Sequence, residues 1–168
     1  MKKVQLACLM LLLIISMNGC TQKYGIYQAN AYYRQSSRGT QQVNDAGQPV
    51  GSPIIKEDLI YVETATGKIA PAFTTAWIEG KSYNVQAVAA EKASLGTMKE
   101  GGQPVSLAPA EGHQLWQLQL TESPGTKVDA AITEAMQSNA IVLTGTWKGK
   151  PFTYTIKMRE QLEGVMYQ

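Results

Sequence analysis

Apolar and polar residues alternate over several short stretches of the chain, a pattern that predicts half-buried β-strands. The clearest stretch is residues 152–159. Its apolar positions, which we expect to face the core, are Phe152, Tyr154, Ile156 and Met158. This strand should pair with residues 141–147 through a tight turn at Lys148-Gly149-Lys150. Pro151 stands near the start of the strand, where its missing N–H does least harm.

A second hairpin is predicted in the middle of the chain. Residues 73–78 and 83–89 alternate on either side of Glu79-Gly80-Lys81, where Gly80 can supply the positive φ of a tight turn. Three more strands are predicted from similar patterns. They cover residues 24–33, 59–65 and 115–121.

Three stretches depart from this alternation. Residues 34–53 are polar and predict a loop, which includes a short hairpin around Asn44-Asp45-Ala46-Gly47. Residues 90–112 are rich in glycine and proline; because a structureless connection of this length is unusual, they form either a functional loop or an unrecognised element. Residues 128–136 predict a short helix instead, since their apolar positions recur at helical spacing. These positions are Val128, Ala131, Ile132, Ala135 and Met136.

Together the patterns predict a mainly β fold, an antiparallel β-sandwich of about seven or eight strands with one short helix. A small β-barrel is the alternative. Composition agrees with a β-rich domain, because charged residues make up only 17% of the chain and Gly, Ser, Thr and Gln are plentiful. The length after residue 23 suits a single domain with a real core.

The first 20 residues follow a different pattern. Lys2-Lys3 precedes an apolar run over residues 4–15, which has the length of a secretory-signal core and is too short to span a membrane. The run is followed by Met17-Asn18-Gly19-Cys20. This stretch resembles the lipobox of bacterial lipoproteins, in which an aliphatic residue and two small residues precede a cysteine. An ordinary secretory signal cut nearby and an uncleaved anchor are the alternatives.

The lipobox resemblance implies cleavage between Gly19 and Cys20, with a diacylglycerol group on the Cys20 sulfur and a further acyl group on its new amino group. Two or three acyl chains hold a protein on a membrane far more firmly than the single chain that binds only marginally. Residues 1–19 would be the discarded signal peptide and residues 20–23 a lipidated tether. Residues 24–168 would then form a single β-rich periplasmic domain.

The resemblance also implies a location. Thr21 follows the cysteine, where lipoproteins retained in the inner membrane of enteric bacteria carry aspartate. We therefore expect the outer membrane. The periplasmic face is favoured over the cell surface, because residues 22–25 lack the acidic run that resembles a surface-export signal.

Catalytic chemistry finds little support in the sequence. His113 is the only histidine, and beside Gly112 it is predicted to be an exposed loop residue. The carboxylates are not distinguished by their sequence surroundings, so a hydrolase is the least favoured of three functions. Lipidation of Cys20 would leave no free thiol in the mature chain, because Cys8 lies in the signal. We expect no catalytic residue, no metal and no cofactor.

Binding is the function that the sequence favours. We expect a non-catalytic, lipid-anchored protein that binds or scaffolds another component of the cell envelope, with a second envelope protein as the expected partner, within a secretion or envelope assembly. The alternative is capture of a glycan or peptide by an exposed aromatic surface, for which Trp77 is the candidate because it stands beside a hairpin turn. Loss of Lys2 and Lys3 would leave side-chain charges near balance, and no nucleic-acid partner is expected.

Overall fold

The computed structural model describes residues 23–38, 43–48, 50, 54–123, 132–133 and 140–167. These residues form a mainly β fold, as the alternation predicts. The strands are β1 (Ile26–Arg38), β2 (Ile54–Ala65), β3 (Ala72–Ile78), β4 (Lys81–Ala90), β5 (Ala93–Thr97), β6 (Pro104–Leu107), β7 (His113–Ser123), β8 (Ile141–Trp147), β9 (Lys150–Ile156), β10 (Glu160–Gln161) and β11 (Met166–Tyr167). Apart from Ile132 and Thr133, the helix predicted over residues 128–136 lies outside the described residues.

Most strands belong to one large sheet that curls into a half-barrel. Its order is β10-β1-β2-β7-β4-β3-β8-β9, with β11 also pairing with β1. Pairing is antiparallel except where β10 and β11 run parallel to β1. A second, two-stranded sheet is formed by β5 and β6. The eight-strand path is therefore continuous, with the small sheet packed beside it.

Both predicted tight hairpins are confirmed. Ile78 pairs with Lys81 across Glu79 and Gly80, and Trp147 pairs with Lys150 across Lys148 and Gly149. The two residues between each pair have positive φ, which is the geometry of the turns that match strand twist.

The end of the last long strand differs from the prediction. The strand β9 stops at Ile156, so the period-2 pattern no longer applies two residues later. Met158 is 69% exposed instead of facing the core. Phe152 and Ile156 are buried, and Tyr154 is partly buried against the same core, as the alternation predicts.

The main core lies on the inner face of the curl. It takes side chains from β1, β2, β3, β7, β8 and β9. Its most deeply buried members include Ile60, Val62, Ala76, Ile78, Ile141 and Leu143. Gly145 is required where β8 meets β3, because a Cβ there would lie 2.0 Å from the Ala72 carbonyl oxygen. The close approach of β8 to β3 beside the inner core therefore depends on a residue without a side chain.

A second apolar cluster covers the outer face of the same sheet. Leu59 and Tyr61 of β2 contribute to it, although their neighbours in sequence face the inner core. The cover consists of Leu95 from the β5–β6 hairpin and Leu162 from the C-terminal segment. Of the two alternatives left open for residues 90–112, the structure therefore shows the unrecognised element, because the segment contains β5 and β6. Glycine and proline hid the hairpin, whose register shifts between Ser94 and Gly96.

The first strand also runs further than predicted. Residues 34–38 belong to β1, so the loop prediction for residues 34–53 is wrong at its start. The backbone of residues 34–37 pairs with β2 on one side, and Ser37 and Arg38 pair with β11 on the other. These backbone hydrogen bonds hold the segment in the sheet although its side chains are polar. The chain turns where the short hairpin was predicted, because the Asn44 side-chain oxygen accepts hydrogen bonds from the backbone N–H groups of Ala46 and Gln48. No helix among the described residues is long and apolar enough to cross a membrane.

Candidate functional site

The two ends of the half-barrel carry different kinds of side chain. One end, here called the charged end, is formed by Lys56, Asp58, Glu79 and Arg159, with the ring of Tyr33 beside them. The strand pairing explains the position, because Tyr33 lies directly opposite Asp58 and shares its side of the sheet. Glu79 reaches the group from the β3–β4 turn.

Arg159 is the centre of the charged end, with its side chain only 2% exposed. One guanidinium nitrogen donates to Asp58 Oδ1 at 2.8 Å, and the other donates to Glu79 Oε1 at 2.6 Å. The guanidinium carbon lies 5.4 Å from the centroid of the Tyr33 ring, within cation–π range. Burial of the charge is therefore offset by two carboxylates and an aromatic face.

Hydrogen bonds within the charged end favour the ionised forms of Glu79 and Arg159. Hydrogen bonds from Lys56 and then Arg159 lower the pKa of Glu79, against a smaller opposing effect of burial. Burial lowers the pKa of Arg159, but the hydrogen bonds that its guanidinium group donates to Glu79 and Asp58 outweigh this effect, and the pKa is raised. A carboxylate held in its ionised form acts as a counter-ion and is poorly suited to donate a proton.

A cavity of about 560 Å³ opens beside Arg159. The β5–β6 hairpin and the segment after β9 form its walls, and Tyr33 donates a hydrogen bond to Gln161 across 3.2 Å. The lining combines two methionines with side chains of both charges. It consists of Tyr33, Met98, Lys99, Glu100, Met158, Arg159, Glu160 and Gln161. This volume and mixture suit the side chains of a peptide segment.

His113 is not the exposed loop residue that the sequence predicts. It begins β7, and its Nδ1 lies 2.6 Å from Oε1 of the buried Glu63. The same carboxylate oxygen accepts a hydrogen bond from the Ala110 N–H at 2.9 Å, and the Tyr27 ring lies 4.3 Å from the imidazole centroid. The pair fastens the loop before β7 to β2. It was hidden in the sequence because strand pairing unites residues 50 positions apart.

The structure does not support Trp77 as the residue that captures a ligand on an exposed aromatic surface. Trp77 is only 4% exposed and pairs across the sheet with the fully buried Val142, so it offers no ring face to a ligand in solution. Trp116 is partly buried and donates to the Thr64 hydroxyl at 2.9 Å. Trp147 is partly buried as well, and its ring meets Tyr24 at the end of the half-barrel opposite Arg159.

The remaining sequence predictions on sites concern Gly19 and Cys20, which lie outside the described residues. Within the described ranges, no three His, Cys, Asp or Glu side chains are grouped as a metal site requires. Comparison with family models, with curated proteins and with solved structures finds no match. Function therefore has to be inferred from the residues of this chain.

Proposed function

We propose that this chain is a lipid-anchored, non-catalytic protein of the outer membrane, held on the periplasmic face through Cys20, whose domain binds a segment of another envelope protein. The cavity beside Arg159 is the observation that carries the binding role. It is the largest of the cavities described, and its residues come from the hairpin and the C-terminal segment, which pack together.

The lining of the cavity supports a protein ligand. Met98 and Met158 provide flexible apolar surface that adapts to different side chains. Lys99 and Glu100 lie at the hairpin turn and supply one charge of each sign, which suits a mixed peptide better than a uniformly charged ligand. The hairpin is held in place because Lys99 N–H donates to the Gln161 carbonyl at 2.9 Å and Met98 bridges to Leu162.

The charged end supports a non-catalytic role. Glycoside hydrolysis requires two carboxyl groups, one of which has a raised pKa so that it can protonate the leaving group. Asp58 and Glu79 instead share the guanidinium group of Arg159, and the pKa of Glu79 is lowered. Capture of a glycan on an exposed aromatic surface loses its candidate, because Trp77 is buried.

The anchor is tested by following lipid on the chain in cells. The wild-type protein should incorporate a palmitate analogue and sediment with membranes. Cys20→Ser should incorporate none and should leave the membrane fraction. Continued labelling of Cys20→Ser would contradict the lipoprotein assignment.

The binding site is tested by photo-crosslinking in cells from defined positions. A photoreactive residue at Met158 or at Met98 should capture the same protein, and Lys99→Glu/Glu100→Lys should abolish both crosslinks while the domain stays folded. The control is the same photoreactive residue at Val88, an exposed position on β4. Equal capture from Val88, or crosslinks that survive the charge exchange, would show that the cavity is not the contact.

A further inference from the structure

The end of the half-barrel opposite Arg159 presents lysines around an aromatic group. Three turns meet there: Lys23 to Ile26, the β2–β3 loop and the β8–β9 turn. Tyr24 lies between the rings of Trp147 and Phe152, with centroids 6.3 and 4.9 Å away. The Trp147 indole N–H donates to the Ile69 carbonyl at 3.1 Å, which joins the β2–β3 loop to the group.

The charged side chains on these three turns are all positive. Four exposed lysines come from the three turns and their flanking residues. They are Lys23, Lys68, Lys148 and Lys150. Lys148 Nζ lies 4.3 Å from the Trp147 ring centroid, and Lys23 Nζ lies 5.1 Å from that of Tyr24. Three acids lie at the same end: Glu91 and Glu111 are on the neighbouring connections after β4 and before β7, and Glu63 is buried against His113.

Apolar surface accompanies the lysines. Ile69 is 62% exposed, and a cavity of about 290 Å³ opens between Tyr24 and Trp147, with Pro151 and two of the lysines at its rim. Tyr24 has a φ of 60°, a conformation that only glycine adopts without strain, followed by Gly25 at 75°. This turn holds Tyr24 against Trp147. Lysines around tyrosine and tryptophan are typical of surfaces that lie at the membrane–water interface.

The position of Cys20 selects the occupant of this surface. Cys20 precedes Lys23 by three residues, and three residues span at most about 11 Å even when fully extended. A lipid on Cys20 therefore brings the lysine-rich end, and not the charged end, against the bilayer. Nearby lysines gain about 1 kcal/mol each from an anionic lipid surface, and the effect falls off within a Debye length of roughly 10 Å.

We propose that Lys23, Lys68, Lys148 and Lys150, with Tyr24, Ile69 and Trp147, form a docking surface for anionic lipid headgroups. It orients the domain so that the cavity beside Arg159 points away from the membrane. This inference rests on the proposed lipid anchor. The anchor supplies proximity, and the docking surface fixes which side of the domain meets the bilayer.

The test uses the full chain with Cys20→Ser, which cannot carry the lipid, mixed with vesicles of phosphatidylcholine with or without phosphatidylglycerol. Binding is followed by co-sedimentation over a range of salt concentrations. Lys148→Gln/Lys150→Gln is compared with Lys81→Gln/Lys157→Gln, which removes two exposed lysines at the other end of the sheet. Residues 1–19 are common to all variants and cannot produce a difference between them.

We expect Lys148→Gln/Lys150→Gln to weaken binding to the anionic vesicles by about 30-fold, the equivalent of roughly 1 kcal/mol for each lysine. The control pair should change it less than about twofold, because those lysines lie beyond the screening distance. Added salt should reduce the difference between the pairs. Equal losses in the two pairs, or no preference for phosphatidylglycerol, would overturn the docking surface.

This result is independent of the anchor. If Cys20 takes up no palmitate analogue while the lysine pairs still differ, the proposed lipoprotein fails and the lipid-binding surface stands. If Cys20 is labelled and the pairs do not differ, the anchor stands and the docking surface fails. Variants are compared only where circular dichroism shows the β-rich spectrum of the wild type.

Discussion

The two ends of the half-barrel are closed by different physical means. At the lysine-rich end, Phe152 packs edge-to-face with Phe73 and in a tilted arrangement with Tyr24, and the closing contacts are apolar and aromatic. At the charged end, a buried guanidinium group joins Asp58 to Glu79. Apolar contacts add to stability regardless of pH, whereas the charged group is stable only while every member keeps its charge. We therefore expect stability to depend most on side-chain truncation at the lysine-rich end and on pH at the charged end.

Truncation of an aromatic side chain at the lysine-rich end should have the largest effect. Phe152→Ala removes a ring that is 5% exposed and leaves a cavity between Phe73 and Tyr24. We expect the free energy of unfolding to fall by roughly 3–5 kcal/mol. Thr155→Ala, at an exposed position of the same strand, should cost less than about 0.5 kcal/mol. Similar losses in chemical denaturation would mean that the register of β9 is wrong.

Removal of the central charge should come next. Arg159→Met leaves the carboxylate of Asp58 without its buried partner, and we expect a loss of about 3 kcal/mol, the lower part of the range for breaking a buried ion pair. The value is low because Glu79 keeps Lys56 and is 51% exposed.

Two further variants distinguish the loss of the ion-pair attraction from the cost of leaving the Asp58 carboxylate buried without a partner. Arg159→Met/Asp58→Leu should recover part of the loss, because no carboxylate is then buried without a partner. Lys81→Met breaks an ion pair with Glu122 that is open to water, so its effect on stability should be far smaller than that of Arg159→Met. A loss in Lys81→Met as large as that in Arg159→Met would remove the distinction between the ends. All four proteins can be compared by urea denaturation at neutral pH.

The sequence predicted the apolar half of this comparison better than the charged half. Period-2 alternation reveals Phe152 and Ile156 because each residue's surroundings follow from its immediate neighbours. Arg159 stands beyond the strand, where the same pattern assigns it to an exposed face. Its burial depends on Asp58 and Glu79, which lie 101 and 80 residues away. Such long-range pairing leaves no local signal.

The β5–β6 hairpin and the Glu63–His113 pair were missed for related reasons. Residues 90–112 are rich in glycine and proline, and the two strands are short. Their apolar residues face the outer side of a sheet whose inner side already carries the main core. A strand buried on both faces, such as β2, loses the alternation on which the sequence argument depends. The length of the connection was the remaining signal.

A smaller effect is expected from substitution of Gly25, which tests how Tyr24 and Trp147 are held together at the lysine-rich end. Gly25→Ala forces alanine into a positive φ and places its Cβ 3.1 Å from the Trp147 indole nitrogen. Gly67 has the same φ of 75°, but a Cβ there meets nothing within 4 Å, so Gly67→Ala is the matched control. Each should lose about 1–2 kcal/mol from the backbone alone.

The excess loss in Gly25→Ala then measures the contact with Trp147. Tryptophan fluorescence should change in Gly25→Ala and stay unchanged in Gly67→Ala, since only the first substitution displaces the indole. Equal stabilities and equal spectra would mean that Tyr24 and Trp147 are not held together by the turn at residues 23–26.

The smallest effect concerns the pH dependence of the charged end. Because hydrogen bonds from Lys56 and Arg159 lower the pKa of Glu79 in the folded state, the unfolded chain takes up its proton first as the pH falls. The stabilisation is therefore complete above the ordinary glutamate pKa and is lost as the pH falls through the lowered folded value. Glu79→Gln should be less stable than wild type at neutral pH, and the difference should shrink in acid.

Lys56→Met provides the test of the cause. Lys56 makes the largest contribution to lowering the pKa of Glu79, so the pH-dependent part of the Glu79→Gln effect should be smaller in the Lys56→Met background. Thermal unfolding of the four proteins, from neutral pH to below the ordinary glutamate range, measures it. An unchanged pH dependence in the Lys56→Met background would assign the effect to Arg159 instead. A difference that grows in acid would mean that the pKa of Glu79 is raised, and the charged end would no longer be a set of fixed counter-ions.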